Sequence, residues 1–288
     1  MTSRCDRNND SVKCCPAIGK LLRCGSFYRK SDSKTIQRWR CSACRKTISQ
    51  ATGTACFAQN KRRVNEPLRK LLCSGVSQRR AALILGIHLI TVARKLKFLA
   101  SQARLHRSMY SPVHVQFDEM ETHEHTKLKP LSIALAVDSE RRKILGISVC
   151  EMPAKGLLAA KSRLKYGRRA DDRKKSMTSV LKQVKDQTGE TLSLRSDENP
   201  KYPLWVREVG NKWQHETVKG RRGCIAGQGE LKKIGFDPLF SLNHTCAMIR
   251  ANVNRLFRRT WCTTKRKERL QDHLDIYVEF HNQVLTEK

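Results

Sequence analysis

The chain has 288 residues, with 58 Lys and Arg against 26 Asp and Glu, so its formal net charge is +32. Self-repulsion on that scale calls for an acidic partner, nucleic acid first and an anionic membrane surface second. No run of about 18 apolar residues occurs, and residues 1–10 lack the apolar stretch of a leader peptide, so a spanning, secreted or lipid-anchored protein is not expected.

The charge is uneven. Residues 1–112 hold 24 Lys and Arg against 4 acids, and residues 113–288 hold 34 against 22. The first part is the denser polycation, and the second has the carboxylates that an acid-based site needs. Ser111-Pro112 follows a basic helical stretch and precedes an alternating pattern, which puts the main boundary there. Twelve cysteines in a chain this long read as a metal cluster plus buried thiols rather than a disulfide scaffold.

In chain order the first candidate is that cluster. Cys41-Ser-Ala-Cys44 has the spacing of a knuckle that grips one Zn²⁺ with two thiolates, and Arg38-Trp39-Arg40 reads as the strand that delivers it. The opening knuckle is irregular, because Ile18 stands three residues after Cys15 where a second thiol is expected. The expected ligand set is Cys15, Cys24, Cys41 and Cys44, with Cys14 as substitute. The segment Tyr28–Trp39 between them is a basic strand-turn-strand suited to phosphate contact. The predicted module spans residues 1–58.

Residues 59–110 read as three helices. Asn65 is the expected N-cap of the first, whose Leu68, Leu71 and Leu72 make an apolar stripe ending at Gly75. Ser77 caps a second helix carrying the small pair Ala81-Ala82, Gly86-Ile87 makes the turn, and a third helix runs from Leu89 to Ala100. This is a helix-turn-helix signature, with the last helix entering the major groove. Arg79, Arg80, His88, Ile90, Thr91, Arg94 and Lys95 are the side chains expected to meet DNA.

After Pro112 the period changes to two. Val113, Val115 and Phe117 alternate into Asp118, residues 131–138 form an apolar strand, and residues 144–150 form a third. A helix over residues 171–187 and a strand over 191–196 deliver Asp197. Leu242, Cys246, Ile249, Val253 and Leu256 then mark an amphipathic helix, with Asn243 and Arg250 on a neighbouring face. That order predicts an α+β multidomain chain whose residues 111–288 form a ribonuclease-H-like mixed-sheet α/β catalytic domain. In such a domain Asp118 and Asp197, from adjacent strands, offer hard oxygen ligands to Mg²⁺ (or Mn²⁺) for phosphoryl transfer. His123 and His125 beside Glu121 and Glu124 are expected to lie in a solvated loop rather than to bind metal.

Ribbon, helix-turn-helix and acid core in this order resemble bacterial insertion-sequence transposases, particularly the insertion sequence 1-like group. The residues that carry the resemblance are Gln37–Thr47, Leu242–Arg250 and the string Asn254-Arg-Leu-Phe-Arg-Arg-Thr-Trp-Cys-Thr-Thr-Lys265. The resemblance implies that Asp118 and Asp197 are the two catalytic acids, and that Arg250, Arg255, Arg258, Arg259 and Lys265 contact DNA. It further implies binding to the terminal inverted repeats of a mobile element, strand cleavage and strand transfer to target duplex. A homodimer or larger synaptic complex and a cytoplasmic, nucleoid-associated location go with it. The family's helix carries Glu where this chain has Asn243. The expected third ligand is the Asn243 amide, with His244 as proton carrier or phosphate contact and Glu230 as the other candidate acid. The alternative reading is a DNA-binding protein without chemistry.

Overall fold

The computed structural model describes residues 3–4, 20–30, 33–49, 52, 54–57, 59–106, 111–188, 192–219, 237–257 and 264–286. They fall into two compact units, Met1–Pro67 and Leu68–Lys288. Among the described residues there are eight α-helices and two sheets.

The first unit is a four-stranded antiparallel sheet of β1 (Ser3–Arg4), β2 (Lys20–Arg29), β3 (Lys34–Cys41) and β4 (Thr47–Ser49) in sequential order. The expected strand-turn-strand is present, with Arg29 opposite Lys34 and Leu21 opposite Cys41. The ladder slips between Arg23 and Ser26, where Gly25 takes φ +69°, a conformation that suits glycine at a bulge.

The division at Pro67/Leu68 falls inside α1 (Asn65–Leu72). A 3-10 turn over Arg62–Val64 runs directly into that helix, so Asn65 has helical φ/ψ and is not the expected cap. The next two helices follow the sequence closely. The Ser77 hydroxyl accepts from the Arg80 N–H at the start of α2 (Gln78–Ile84), and Gly86 turns the chain at φ +58°. His88 then caps α3 (Leu89–Leu105) by accepting from the Ile90 N–H at Nδ1.

The second sheet contains β5 (His114–His123), β6 (Pro130–Asp138), β7 (Ile144–Glu151), β8 (Ser193–Ser196) and β9 (Gln214–Thr217) in the order β7-β6-β5-β8-β9. The first three form an antiparallel meander, and β8 and β9 add in parallel to β5. This mixed five-stranded sheet is compatible with a ribonuclease-H-like domain. Helices α4 (Leu158–Tyr166) and α5 (Arg173–Lys185) lie between β7 and β8, and α6 (Tyr202–Val209) lies between β8 and β9. After β9 come α7 (Phe240–Asn252) and α8 (Lys267–Phe280).

Strand β6 is buried along both faces and reads as a continuous apolar run for that reason. Leu131, Ile133, Leu135 and Val137 pack with α7 and α8, and Ala134 and Ala136 face the opposite cluster built on Met177, Val180, Leu181, Tyr202 and Trp205. The helix-turn-helix has no core of its own. Leu68, Leu72, Val92, Leu96 and Leu99 belong to the same cluster as Met120, Leu242 and Leu274. Arg104 of α3 holds Asp272 and Asp275 of α8 at 2.7 Å each, across the length of the domain's sequence.

The expected helix over residues 242–256 breaks at Val253, which is extended, before a 3-10 turn at Asn254–Leu256. The Asn252 carbonyl accepts from the Gly75 N–H and the Asn254 amide donates to the Gly75 carbonyl, so the chain swaps helical bonds for partners beside α1. Val253 and Leu256 stay buried nonetheless. Among the described residues no helix is long and apolar enough to cross a membrane.

Candidate active site

The site is built from the middle of β5 outward. Side chains alternate along a strand, so Gln116, Asp118 and Met120 share one face and Val115 and Phe117 the other. Val115 and Phe117 pack with α5 and α6, and Met120 joins the cluster that includes α7 and α8. Asp118 therefore stands on the α7 side. Gln116 fixes α7 against it: its amide donates to the Pro238 carbonyl and accepts from the Leu242 N–H, each at 3.0 Å.

Parallel pairing of β5 with β8 ends at Gln116 opposite Arg195, so Asp118 and Asp197 each lie two residues beyond the last pair, Asp197 just after β8. Burial raises the Asp118 carboxyl to about 6, and the Asp197 charge adds to the rise; hydrogen bonds from the Glu119 backbone and the Tyr202 phenol oppose it. The Tyr202 hydroxyl donates to Asp118 Oδ1 at 2.9 Å, and burial beside these carboxylates pushes its own ionisation far up. The Tyr202 ring is braced by Phe117 at 5.1 Å and Trp205 at 5.6 Å. Asp197 Oδ1 accepts from the Asn199 N–H, and the hydroxyl of the preceding Ser196 meets His215 Nε2 at 2.9 Å.

The start of α7 supplies what else is close. Cys246 is buried, and burial raises its thiol to about 12; the charges of Arg250 and Asp118 both reach it. Asn243 is exposed, and its amide donates to Asp237 Oδ2 at 2.9 Å. His244 is placed elsewhere: its ring lies 5.7 Å from Phe240, the His281 charge interacts with it, and its Nδ1 is buried without a hydrogen-bond partner. Glu230 lies outside the described residues.

Beyond Asp118 the same strand enters a cleft of about 920 Å³. Arg250 and Arg255 line it, and Lys265 reaches its edge through a 3.0 Å contact with His125 Nδ1. Arg258 and Arg259 lie outside the described residues. Glu121 and Glu124 are paired with Lys155 and Lys129, and among the described residues no three His, Cys, Asp or Glu side chains are grouped to hold a metal ion. Two carboxylates close enough for their charges to interact are still a donor set of the kind a hard divalent cation takes, with remaining positions open to water and phosphate.

The zinc expectation has less to stand on. Cys14 and Cys15 lie outside the described residues; Cys41 is buried at the end of β3, Cys44 sits in the following turn, and Cys24 is at the bulge of β2, three residues along from the partner of Cys41. At a strand rise of about 3.4 Å per residue, Cys24 is too far along the ladder to share a tetrahedron with the Cys41 pair.

On the helix-turn-helix, Arg79, Arg80, His88, Ile90 and Arg94 are exposed and Thr91 is half-buried. Lys95 is only 4 % exposed. It is one of the buried residues of α3, beside Leu96, and so does not meet DNA from this position. Sequence reasoning missed Tyr202, Gln116 and Asp237. The first two act over 84 and 126 residues of chain and leave no local signal.

No protein-family model matches the chain, and no curated protein matches it. Among solved structures it is similar to a chain of the "CryoEM structure of simian T-cell lymphotropic virus intasome in complex with PP2A regulatory subunit B56 gamma", at 14% identity over 73% of this chain and 71% of that one, with a TM-score of 0.21. A TM-score of that size does not establish a common fold.

Proposed function

We propose that the protein is a DNA-cleaving and strand-joining enzyme of the transposase type, acting on the ends of a mobile element. The observation that supports the reading is that Asp118 and Asp197 each lie two residues beyond the last pair of the parallel β5–β8 ladder, near enough for the Asp197 charge to act on Asp118, in a chain of net charge +32. Asp118 and Asp197 would hold Mg²⁺ or Mn²⁺, with the Asn243 amide oxygen contributing from α7. A bound ion pair supplies an activated oxygen nucleophile and charge relief at the leaving oxygen. The protein's own residues orient the strand: Tyr202 fixes the Asp118 carboxylate, Gln116 fixes α7, and Arg250 and Arg255 draw the phosphate backbone towards them. The exposed Arg79, Arg80 and Arg94 would hold the element end, and synapsis of two ends would take at least a dimer.

The test is cleavage of labelled duplexes taken from the DNA that flanks the reading frame. Wild type should nick them in Mg²⁺, and Asp118→Ala and Asp197→Ala should bind without nicking. Nicking by both variants would remove these residues from the chemistry. A second reading, DNA binding without chemistry, is favoured by one observation: Asn243, the expected third ligand, brings no charge and is exposed with its amide donating to Asp237 Oδ2. Binding by wild type with no nicking in Mg²⁺ or Mn²⁺ selects it.

A further inference from the structure

The cleft beside Asp118 is larger than the joining of a phosphate to two carboxylates requires. At about 920 Å³ it lies at the upper end of the sizes that enclose a ligand. Met120 and Phe257 give it an apolar floor, and Lys127, Lys161, Arg250 and Arg255 give it a cationic wall. We propose that this cleft takes unpaired nucleotides of the strand that leads into the site, stacking bases on its floor and phosphates along its wall. The proposal rests on the DNA-cleaving reading and adds that the substrate is opened next to the cut.

The chemistry of the lining favours this occupant. A closed duplex hides its base faces in the stack and offers only backbone, for which an apolar floor has no use. Unpaired bases expose faces that stack on aromatic and apolar side chains while the backbone tracks a positive groove. Arg255 is the second indication. Burial and the Arg269 charge both weigh against its charged form, Asp272 alone opposes them, and its Nε is buried without a partner although one Nη donates to Thr264. A cation held this way is completed by a phosphate.

Asp118 does not itself line the cleft but stands two residues before Met120, which does. Met120 and Thr122 follow Asp118 on one face of β5, and the Arg250 charge reaches the same Cys246 thiol as that of Asp118. Helix α4 contributes to the lining and is held by the buried Ser162 hydroxyl donating to the Leu128 carbonyl at 2.6 Å. Leu158 and Lys161 of that helix line the cleft.

Fluorescence anisotropy of the full chain in EDTA tests this without cleavage. The probes are a blunt duplex and the same duplex extended by a short oligothymidine overhang. The overhang should tighten binding about tenfold, the size expected from stacking one or two bases. Leu158→Glu and, separately, Lys161→Ala should return the ratio towards one while blunt-duplex affinity is largely kept. Equal affinity for the two probes in wild type, or an overhang preference untouched by both variants, overturns the proposal. Parallel reactions in Mg²⁺ separate the two claims. Cleavage without overhang preference defeats the cleft reading alone, and overhang preference without cleavage defeats the enzymatic reading and keeps the cleft.

Discussion

Tyr202 and Asp118 are 84 residues apart in the chain and meet phenol to carboxylate at 2.9 Å. The hydrogen bond favours the ionised acid, against a burial effect that raises the Asp118 carboxyl to about 6. Tyr202→Phe removes the donor and keeps the ring against Phe117 and Trp205. The acid limb of the cleavage rate, set by the pH at which Asp118 loses its charge, should move about one pH unit higher. Identical acid limbs in the two proteins would mean that Asp118 is not the group that titrates.

The same raised acid makes a stability prediction. Folded Asp118 holds its proton up to about pH 6 and the unfolded chain releases it near 3.8, so the folded state carries a charge penalty that is complete above pH 6 and gone below about pH 4. Asp118→Asn should therefore raise the unfolding temperature at about pH 8 in EDTA, and the gain should vanish as the pH falls towards 4. Millimolar Mg²⁺ should stabilise wild type and leave the Asn variant unmoved, by mass action on a site that only wild type has intact. A variant stabilised equally by Mg²⁺ would take Asp118 out of the metal site.

The strand that carries Asp118 and the meander were readable because local alternation and a polar turn at Asp138–Lys143 encode them directly. The helices of the helix-turn-helix were readable from caps and small residues, at Ser77 and at Ala81-Ala82. What sequence did not reveal was that these helices lack an independent core, because Leu96 and Leu99 look the same whether their partners are α1 and α2 or α8. Lys95 shows the same limit: its neighbours give it the look of a DNA-facing cation, and only the tertiary packing of α3 leaves it 4 % exposed. Gln116 carried no signal at all, since a lone amide in an alternating strand reads as an outward polar residue.

Gln116 is 6 % exposed and makes two hydrogen bonds to the start of α7. Gln116→Leu keeps the volume but leaves the Leu242 N–H and the Pro238 carbonyl without their partner. The loss should be about 2–4 kcal/mol in chemical denaturation. Cleavage should fall further than stability alone explains, because α7 loses its tether to the strand that bears Asp118. A fully stable variant with normal cleavage would show that the tether is dispensable.

Arg94 and Lys95 are adjacent in sequence and opposite in environment, exposed and 4 % exposed respectively. Arg94→Ala should weaken duplex binding and lower the slope of log affinity against log salt by about 1, with stability unchanged. Lys95→Ala should leave that slope alone and lower stability by the packing it removes from α3. The reverse pattern would mean that α3 meets DNA with its other face.

His273 is buried in α8, its Nε2 2.8 Å from the Leu72 carbonyl, and burial together with the Arg255 charge lowers it to about 4. The unfolded chain takes up a proton at this residue near pH 6.5, and the folded state does not until about pH 4. Stability from this group is thus complete above pH 6.5 and is lost progressively as the pH falls, by about 3 kcal/mol in total. His281, lowered in the same sense by burial, adds to the slope. His273→Gln keeps a donor for Leu72 but has no proton to take up, so its denaturation midpoint should fall less steeply than that of wild type between about pH 7 and pH 5. Because His273 joins α8 to the end of α1, the acid-sensitive contact is one of those that tie the helix-turn-helix to α8, beside the Arg104 ion pairs. Amide exchange in α1 should accordingly speed up before exchange in β5 and β6 as the solution is acidified.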